Sequence, residues 1–343
     1  MLNIGVIGYG YWGPNLVRNF VESEHTQVLG VADKAATRRH LVEARYPHIQ
    51  TTSDMRELLA NPTIDAIVVA TPVSSHFELA MEALKAGKHV LVEKPLASSS
   101  EQSERLIDEA ARRKLTLMVD HTFVYTSAVR KIAELLAKGE IGQPYYYDSV
   151  RINLGLFQHD VNVLWDLAVH DLSIMQYVLR GDPVAISATG MSHFAANSEN
   201  IAYLTLFFPD NLIAHIHVNW LAPVKVRRTL IGGSRRMLIY DDVEGSEKVK
   251  VYDKGIHVSD TPESVHQFRV NYRAGDMWAP QIDNTEALKV EVEEFVNAIA
   301  SGREPLTGGE AGLKVVRILE AATNSMALRG QVVELAQAQG AAL

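Results

Sequence analysis

Three side chains in this sequence have the types and spacing to move a proton and steady a charge. Asp166 and His170 lie four apart in "VLWDLAVHDLSIMQYVL", where apolar residues recur at helical spacing, so the two share one helix face. A histidine with a carboxylate neighbour suits a general base near neutral pH. Lys94 stands in "HVLVEKPLASSS", directly behind a short run of β-formers where a strand should end. An ammonium group there would stabilise alkoxide charge developing on a reacting oxygen. Each has a plainer alternative: a solvated i,i+4 Asp–His pair, and a solvent-facing Glu93–Lys94 pair before a turn-making Pro95. Asp171 follows His170 but points about 100° away on a helix, and reads as a structural carboxylate.

The elements that must position these groups start at the N-terminus. "NIGVIGYGYWGPNLVRNF" reads as a buried strand, a glycine-rich turn and a helix start, with Gly8, Gly10 and Gly13 at G-x-G-x-x-G spacing. One glycine serves the tight turn, one the close approach of a diphosphate, one the packing of helix on strand. The free N–H groups of the helix N-terminus face the phosphates. The second strand, "QVLGVADK", ends on Asp33, 20 residues after Gly13, where a carboxylate accepts from ribose hydroxyls and repels a 2′-phosphate. NAD is the expected cofactor, with NADP possible because Lys34, Arg38 and Arg39 follow closely. A helix N-cap is the alternative role for Asp33.

A third unit repeats the pattern: a strand over 66–70, a helix over 77–86 stopped by Gly87, and a strand over 89–92. Alternating strands and helices predict an α/β fold with a parallel sheet and ligands at the carboxyl ends of its strands. Lys94 then lies on the same edge as Gly10 and Asp33. His76 and Pro72, after a strand end, are expected to frame the nicotinamide side. The candidate cofactor set is Gly8, Gly10, Tyr11, Trp12, Gly13, Asp33, Lys34, Thr71, Pro72, His76, Glu93 and Lys94.

These motifs resemble the Gfo/Idh/MocA family of nicotinamide-dependent oxidoreductases. The residues that carry the resemblance are the glycine turn, "ATPVSSH" at 70–76, "AGKHVLVEKP" at 86–95, "GEIGQP" at 139–144, "DLAVHD" at 166–171 and, more weakly, "VEEFVNAIASGREP" at 292–305. The resemblance implies an N-terminal Rossmann domain followed by a C-terminal α/β domain with an open mixed sheet, here 1–120 and 121–343. It implies catalytic roles for Lys94, Asp166 and His170, and a homodimer or homotetramer. "DHTFVYTSAVR" at 120–130 departs from the Arg-Phe-Asn-Pro wording of many members. The wording around 162–174 looks like members that oxidise C3 of UDP-N-acetylhexosamine-type sugars for surface polysaccharides. Free sugars or inositols are the second substrate class, and a non-catalytic NAD sensor the reading from another class.

Candidate substrate contacts are Lys94, Tyr125, Arg151, Asn153, Asp166, His170 and Arg227. Arg151 and Asn153 share a strand face expected to line a cleft, while Arg227 and Arg228 meet a diphosphate or border a solvated edge strand. His215 and His217 share a strand face without a third ligand at metal spacing, so no metal is expected. A hairpin is predicted over 240–254 and an amphipathic helix over 286–300 closed by Gly302. The 343 residues suit two domains, with 47% hydrophobic and 22% charged residues. A net charge of −8 argues against a nucleic-acid partner. The absence of cysteine excludes thiolate chemistry and disulfides. No apolar run approaches the ~18 residues of a membrane span, and a cytoplasmic protein is the default expectation.

Overall fold

The computed structural model describes residues 1–155, 161–179, 181–194, 198–258 and 270–335. The chain opens as alternating strands and helices: β1 (Leu2–Ile7), α1 (Gly13–Glu22), β2 (Thr26–Ala32), α2 (Ala36–Arg45), β3 (Gln50–Thr52), α3 (Met55–Ala60), β4 (Ala66–Val69), α4 (His76–Lys85), β5 (His89–Glu93), α5 (Ser100–Arg113) and β6 (Leu117–Asp120). After a short turn come α6 (Ser127–Ala137), β7 (Pro144–Leu154), and a π-helical turn, Leu164–Ala168, that runs into α7 (Val169–Val178). Then follow β8 (Ala185–Met191), β9 (Ile201–Phe207), β10 (Ile213–Asn219), β11 (Leu221–Gly233), β12 (Met237–Asp241), β13 (Val249–Tyr252), β14 (Gly255–Val258), β15 (Val270–Arg273) and β16 (Met277–Trp278). The chain closes with α8 (Ala287–Ser301), α9 (Gly309–Ala327) and β17 (Val333–Glu334). Among the described residues, no helix is long and apolar enough to cross a membrane.

Two compact units divide the chain: Met1–Thr126 with Thr285–Glu320, and Ser127–Asn284 with Ala321–Leu343. The first unit holds a parallel sheet in the order β3-β2-β1-β4-β5-β6. The four residues of β4 and the centre of β5 are wholly buried, as expected of parallel strands covered on both faces.

This division differs from the expected 1–120 and 121–343, because a late segment returns to the first unit. Helix α8 buries Leu288, Val292, Phe295 and Ala298 as one stripe, and Phe295 meets Phe20 of α1 edge to face, with centroids 6.4 Å apart. Arg18 of α1 pairs with Glu286 at 2.5 Å. The Val119 N–H then donates to the Thr307 carbonyl at 2.8 Å, extending the β6 edge. Sequence periodicity shows that a helix has an apolar stripe, but not which sheet the stripe covers.

In the second unit the sheet runs β16-β13-β12-β11-β7-β10-β9-β8-β17, with β10 parallel to β7 and the other pairings antiparallel. The open mixed sheet matches expectation, and β12 with β13 forms the predicted hairpin. Strand β11 pairs on both sides, with β7 and β12, so the edge-strand reading of Arg227 and Arg228 is corrected.

The buried face of β7 is polar. Arg151, expected to line a cleft, is only 2% exposed. Its Nε donates to Asp171 Oδ2 of α7 at 2.6 Å, and Ser149 Oγ donates to Asp171 Oδ1 at 2.6 Å. Burial opposes the guanidinium charge, but the Asp171 carboxylate more than offsets it and raises its proton affinity. Asp171 is thus the structural carboxylate expected from its helix face, and it fixes α7 on the sheet. Removing one partner, as Arg151→Ala or Asp171→Ala, should cost about 3–5 kcal/mol, since the other charge is left buried and unpaired. Urea unfolding measures this. The double change Arg151→Met with Asp171→Leu should cost much less than the two single losses combined.

Candidate functional site

Parallel strand direction brings the ends of β1, β2, β4, β5 and β6 to one edge of the first unit. At the end of β1 the chain turns through Gly8, whose φ of +98° favours glycine. A Cβ there would lie 2.5 Å from the Ala70 carbonyl oxygen, and one on Gly13 would lie 2.4 Å from the Gly8 oxygen. Gly10 differs: the nearest atom to a Cβ would be the Arg38 Nη1 at 3.4 Å. That is the open position a diphosphate approach needs. No side chain caps α1, which leaves its N-terminal dipole for an anion.

At the end of β2, Asp33 accepts from the Tyr9 N–H on Oδ2 and the Ala35 N–H on Oδ1, both at 2.8 Å. Arg38 stands 3.5 Å from its carboxylate, while Arg39 donates to the Asp33 and Lys34 carbonyls. Lys34 and Tyr11 are exposed. Trp12 is the N-cap residue of α1, and its indole Nε1 donates to Asp120 Oδ2 at the end of β6, at 2.6 Å.

His76 links two of these turns. It is completely buried, with Nδ1 2.8 Å from the Pro95 carbonyl and Nε2 2.8 Å from the Thr71 carbonyl. It therefore ties the turn after β4 to the turn after β5. Thr71 accepts from Ser75 Oγ at 2.8 Å, and Pro72 is exposed. Glu93 and Lys94 are half-buried where β5 ends. Tyr125, expected to touch substrate, is also corrected: it is 2% exposed and shares a 2.8 Å hydrogen bond with Thr307.

Sequence reasoning missed three groups on this edge. Asp120 is buried and also accepts from the Thr122 hydroxyl. His121 is 1% exposed, and neither ring nitrogen has a hydrogen-bond partner among the described residues. Burial, followed by the charge of Lys94, pushes its imidazole down to about 3. Glu291 of α8 is fully buried. Its signal was legible: a glutamate four residues before Phe295, on the apolar stripe.

In the second unit, Asn162 Oδ1 accepts from the Leu164 and Trp165 N–H groups and starts the π-helical turn. Such turns often mark functional positions. Asp166 and His170 are both half-buried. The buried Trp220 donates its Nε1–H to Asp166 Oδ2 at 3.0 Å, which fixes that carboxylate. Asn153 is half-buried near the end of β7. Arg227 is directed to Asp242, with Nη1–Oδ2 at 3.2 Å. His217 stacks on Tyr203 with centroids 4.4 Å apart, and no metal-holding group of three or more His, Cys, Asp or Glu occurs among the described residues.

Two family models match: residues 2–121 fit the oxidoreductase family with an NAD-binding Rossmann fold, and 129–239 fit the GFO/IDH/MocA C-terminal domain. The chain belongs to the Gfo/Idh/MocA family of oxidoreductases, and its cofactor is NAD. A UDP-N-acetylglucosamine 3-dehydrogenase of Acidithiobacillus ferrooxidans is 28% identical over 92% of this chain and 94% of that protein. Its solved structure superposes with a TM-score of 0.77 at 26% identity, covering 94% of this chain and 97% of that one. A myo-inositol 2-dehydrogenase of Thermotoga maritima is 22% identical over 95% and 96% of the two chains. Levoglucosan dehydrogenase in complex with NADH and L-sorbose shares the fold, with a TM-score of 0.82 at 20% identity over 98% and 99%.

Two measurements probe this edge. Gly10→Ala should leave unfolding stability within about 0.5 kcal/mol while weakening NAD binding in calorimetry, because its methyl meets only Arg38 in the protein. Gly13→Ala should instead destabilise the fold. For His121, the folded value lies below the unfolded one of about 6.5, so the unfolded chain takes up a proton that the folded chain refuses. Stability is therefore complete above pH ~6.5 and falls as pH drops toward 3. Between pH 7 and 5 the wild type should lose about 2 kcal/mol more than His121→Leu. Equal losses in urea titrations would mean that His121 ionises freely in the fold.

Proposed function

We propose that the protein oxidises a ring hydroxyl of a sugar, and that its substrate is a UDP-N-acetylhexosamine-type nucleotide sugar oxidised at C3 for surface polysaccharide. The observation that carries the chemistry is the place of Lys94, directly behind β5 on the edge that holds the glycine turn. The near-full-length similarity to the UDP-N-acetylglucosamine 3-dehydrogenase supports the substrate class. The inositol dehydrogenase relative favours the second reading, a free polyol.

In this reading NAD supplies the hydride acceptor. His170 accepts the hydroxyl proton, and Asp166, held by the Trp220 indole, orients the imidazole and stabilises its charged form. The Lys94 ammonium stabilises the alkoxide that develops as the proton leaves. Asp33 and the glycine turn hold the two ends of the dinucleotide's adenosine diphosphate.

A panel of UDP-sugars and free polyols, followed by NADH absorbance, decides between the readings. Turnover should be highest with UDP-N-acetylhexosamines, and preferential turnover of inositols would overturn the substrate assignment. With the substrate found, Lys94→Ala should lower kcat about 10²–10³-fold with NAD affinity nearly unchanged. His170→Asn should remove the ascending limb of the kcat/KM pH profile, since a base must be deprotonated to act. A larger loss from Asp171→Asn, in a variant that remains folded, would place the working group on the wrong helix face.

A further inference from the structure

The glycine turn hangs between two aspartates that stand at different strand ends. On one side the Tyr9 N–H donates to Asp33 Oδ2 at 2.8 Å, just past the end of β2. On the other the Trp12 indole donates to Asp120 Oδ2 at 2.6 Å, where β6 ends. Between these anchors, the N–H groups of Gly10, Tyr11 and Trp12 meet no acceptor among the described residues. They are donors of the kind that a diphosphate takes. Strands β4 and β5 stand between β1 and β6 in the sheet, so the indole bond joins elements that no ladder connects. Asp120 is 2% exposed, and the Thr122 hydroxyl occupies its other oxygen. A carboxyl group keeps an acceptor oxygen whether or not it is protonated, so the bond does not depend on the charge of Asp120. The oxidation chemistry makes no use of this residue.

We propose that Asp120 is a positioning residue for NAD: by receiving the Trp12 indole it fixes the second half of the glycine turn, and so holds the turn's free amides ready for the diphosphate. Trp12 is the N-cap residue of α1, and its carbonyl accepts from the Asn15 N–H at 2.9 Å. A fixed Trp12 therefore also fixes the first turn of that helix. Without the indole bond the turn moves before NAD arrives, and binding has to order it. Asp120 touches no cofactor atom in this account. Its effect passes through Trp12, concerns the diphosphate rather than the nicotinamide, and is independent of which sugar the enzyme oxidises.

The test titrates the full chain by calorimetry at pH 7 with NAD and with ADP-ribose, which keeps the diphosphate but lacks the nicotinamide. The variants are Trp12→Phe, Asp120→Ala, Asp120→Asn and the double variant Trp12→Phe/Asp120→Ala. Trp12→Phe and Asp120→Ala should each weaken both ligands about tenfold, because the turn is no longer held in advance. The double variant should be no weaker than the worse single, since both changes remove one bond. Asp120→Asn keeps an oxygen for the indole and turns its amide to the Thr122 oxygen, so it should bind both ligands to within about twofold of the wild type. A purely structural Asp120 predicts lowered unfolding stability in urea with unchanged affinity for both ligands, and that result overturns the proposal. A loss confined to NAD would mean that the indole acts on the nicotinamide, and losses that multiply in the double variant would mean two separate effects. Either overturns it. Should Asp120→Ala fail to fold, Trp12→Phe and Asp120→Asn decide: weaker binding of both ligands in Trp12→Phe alone supports the proposal, and equal affinities in the two variants overturn it.

Discussion

Strand direction is the constraint on which the nucleotide-binding unit depends. Because β1, β2, β4, β5 and β6 run parallel, every strand delivers its last residue to the same edge. The glycine turn, Asp33, Thr71, Lys94 and Asp120 come together there although 112 positions separate Gly8 from Asp120. No loop has to reach for the ligand. The buried strands set the positions, and the turns only choose which side chain is presented. His76 shows how firmly those turns are tied, since its ring spans from the Thr71 carbonyl to the Pro95 carbonyl.

Both units bury ionisable groups, and each group meets the cost of desolvation differently. Arg151 and Asp171 neutralise one another, with Ser149 taking a remaining lone pair. Asp120 collects the Trp12 indole and the Thr122 hydroxyl as donors against a burial that raises its proton affinity, while burial and the Asp120 charge raise that of Glu291 well above the usual carboxylate range. His121 stays neutral. The solutions follow from the partners available: a guanidinium permits a full ion pair, whereas a second carboxyl group opposes ionisation.

The local parts of this architecture were legible in the sequence. Gly8, Gly10, Gly13 and Asp33 belong to one strand–turn–helix–strand unit, and the expected helix at 77–86 is found at His76–Lys85. Helix α8, expected over 286–300, is found at Ala287–Ser301 with Gly302 as its left-handed cap. What depended on long-range packing was not legible. Arg151 and Tyr125 are polar residues on strand or turn faces, and sequence assigns such residues to a cleft until a partner such as Asp171 or Thr307 appears. The π-helical turn carrying Asp166 was invisible as well, because one extra residue in a helical turn hardly alters the apolar spacing around it.

The return of Thr285–Glu320 to the first unit makes that unit a host interrupted by an insertion. A ribosome delivers the Rossmann strands first, but α8 emerges only after the whole of Ser127–Asn284 has been made. At about 5–20 residues per second, the nascent sheet waits on the order of ten seconds with the Phe20 side of α1 uncovered. The first unit therefore cannot close until Thr285–Glu320 is made, and the second in turn waits for Ala321–Leu343, whose β17 pairs with β8. The two units thus interlock along the sequence, each waiting for a segment that the other's chain delays.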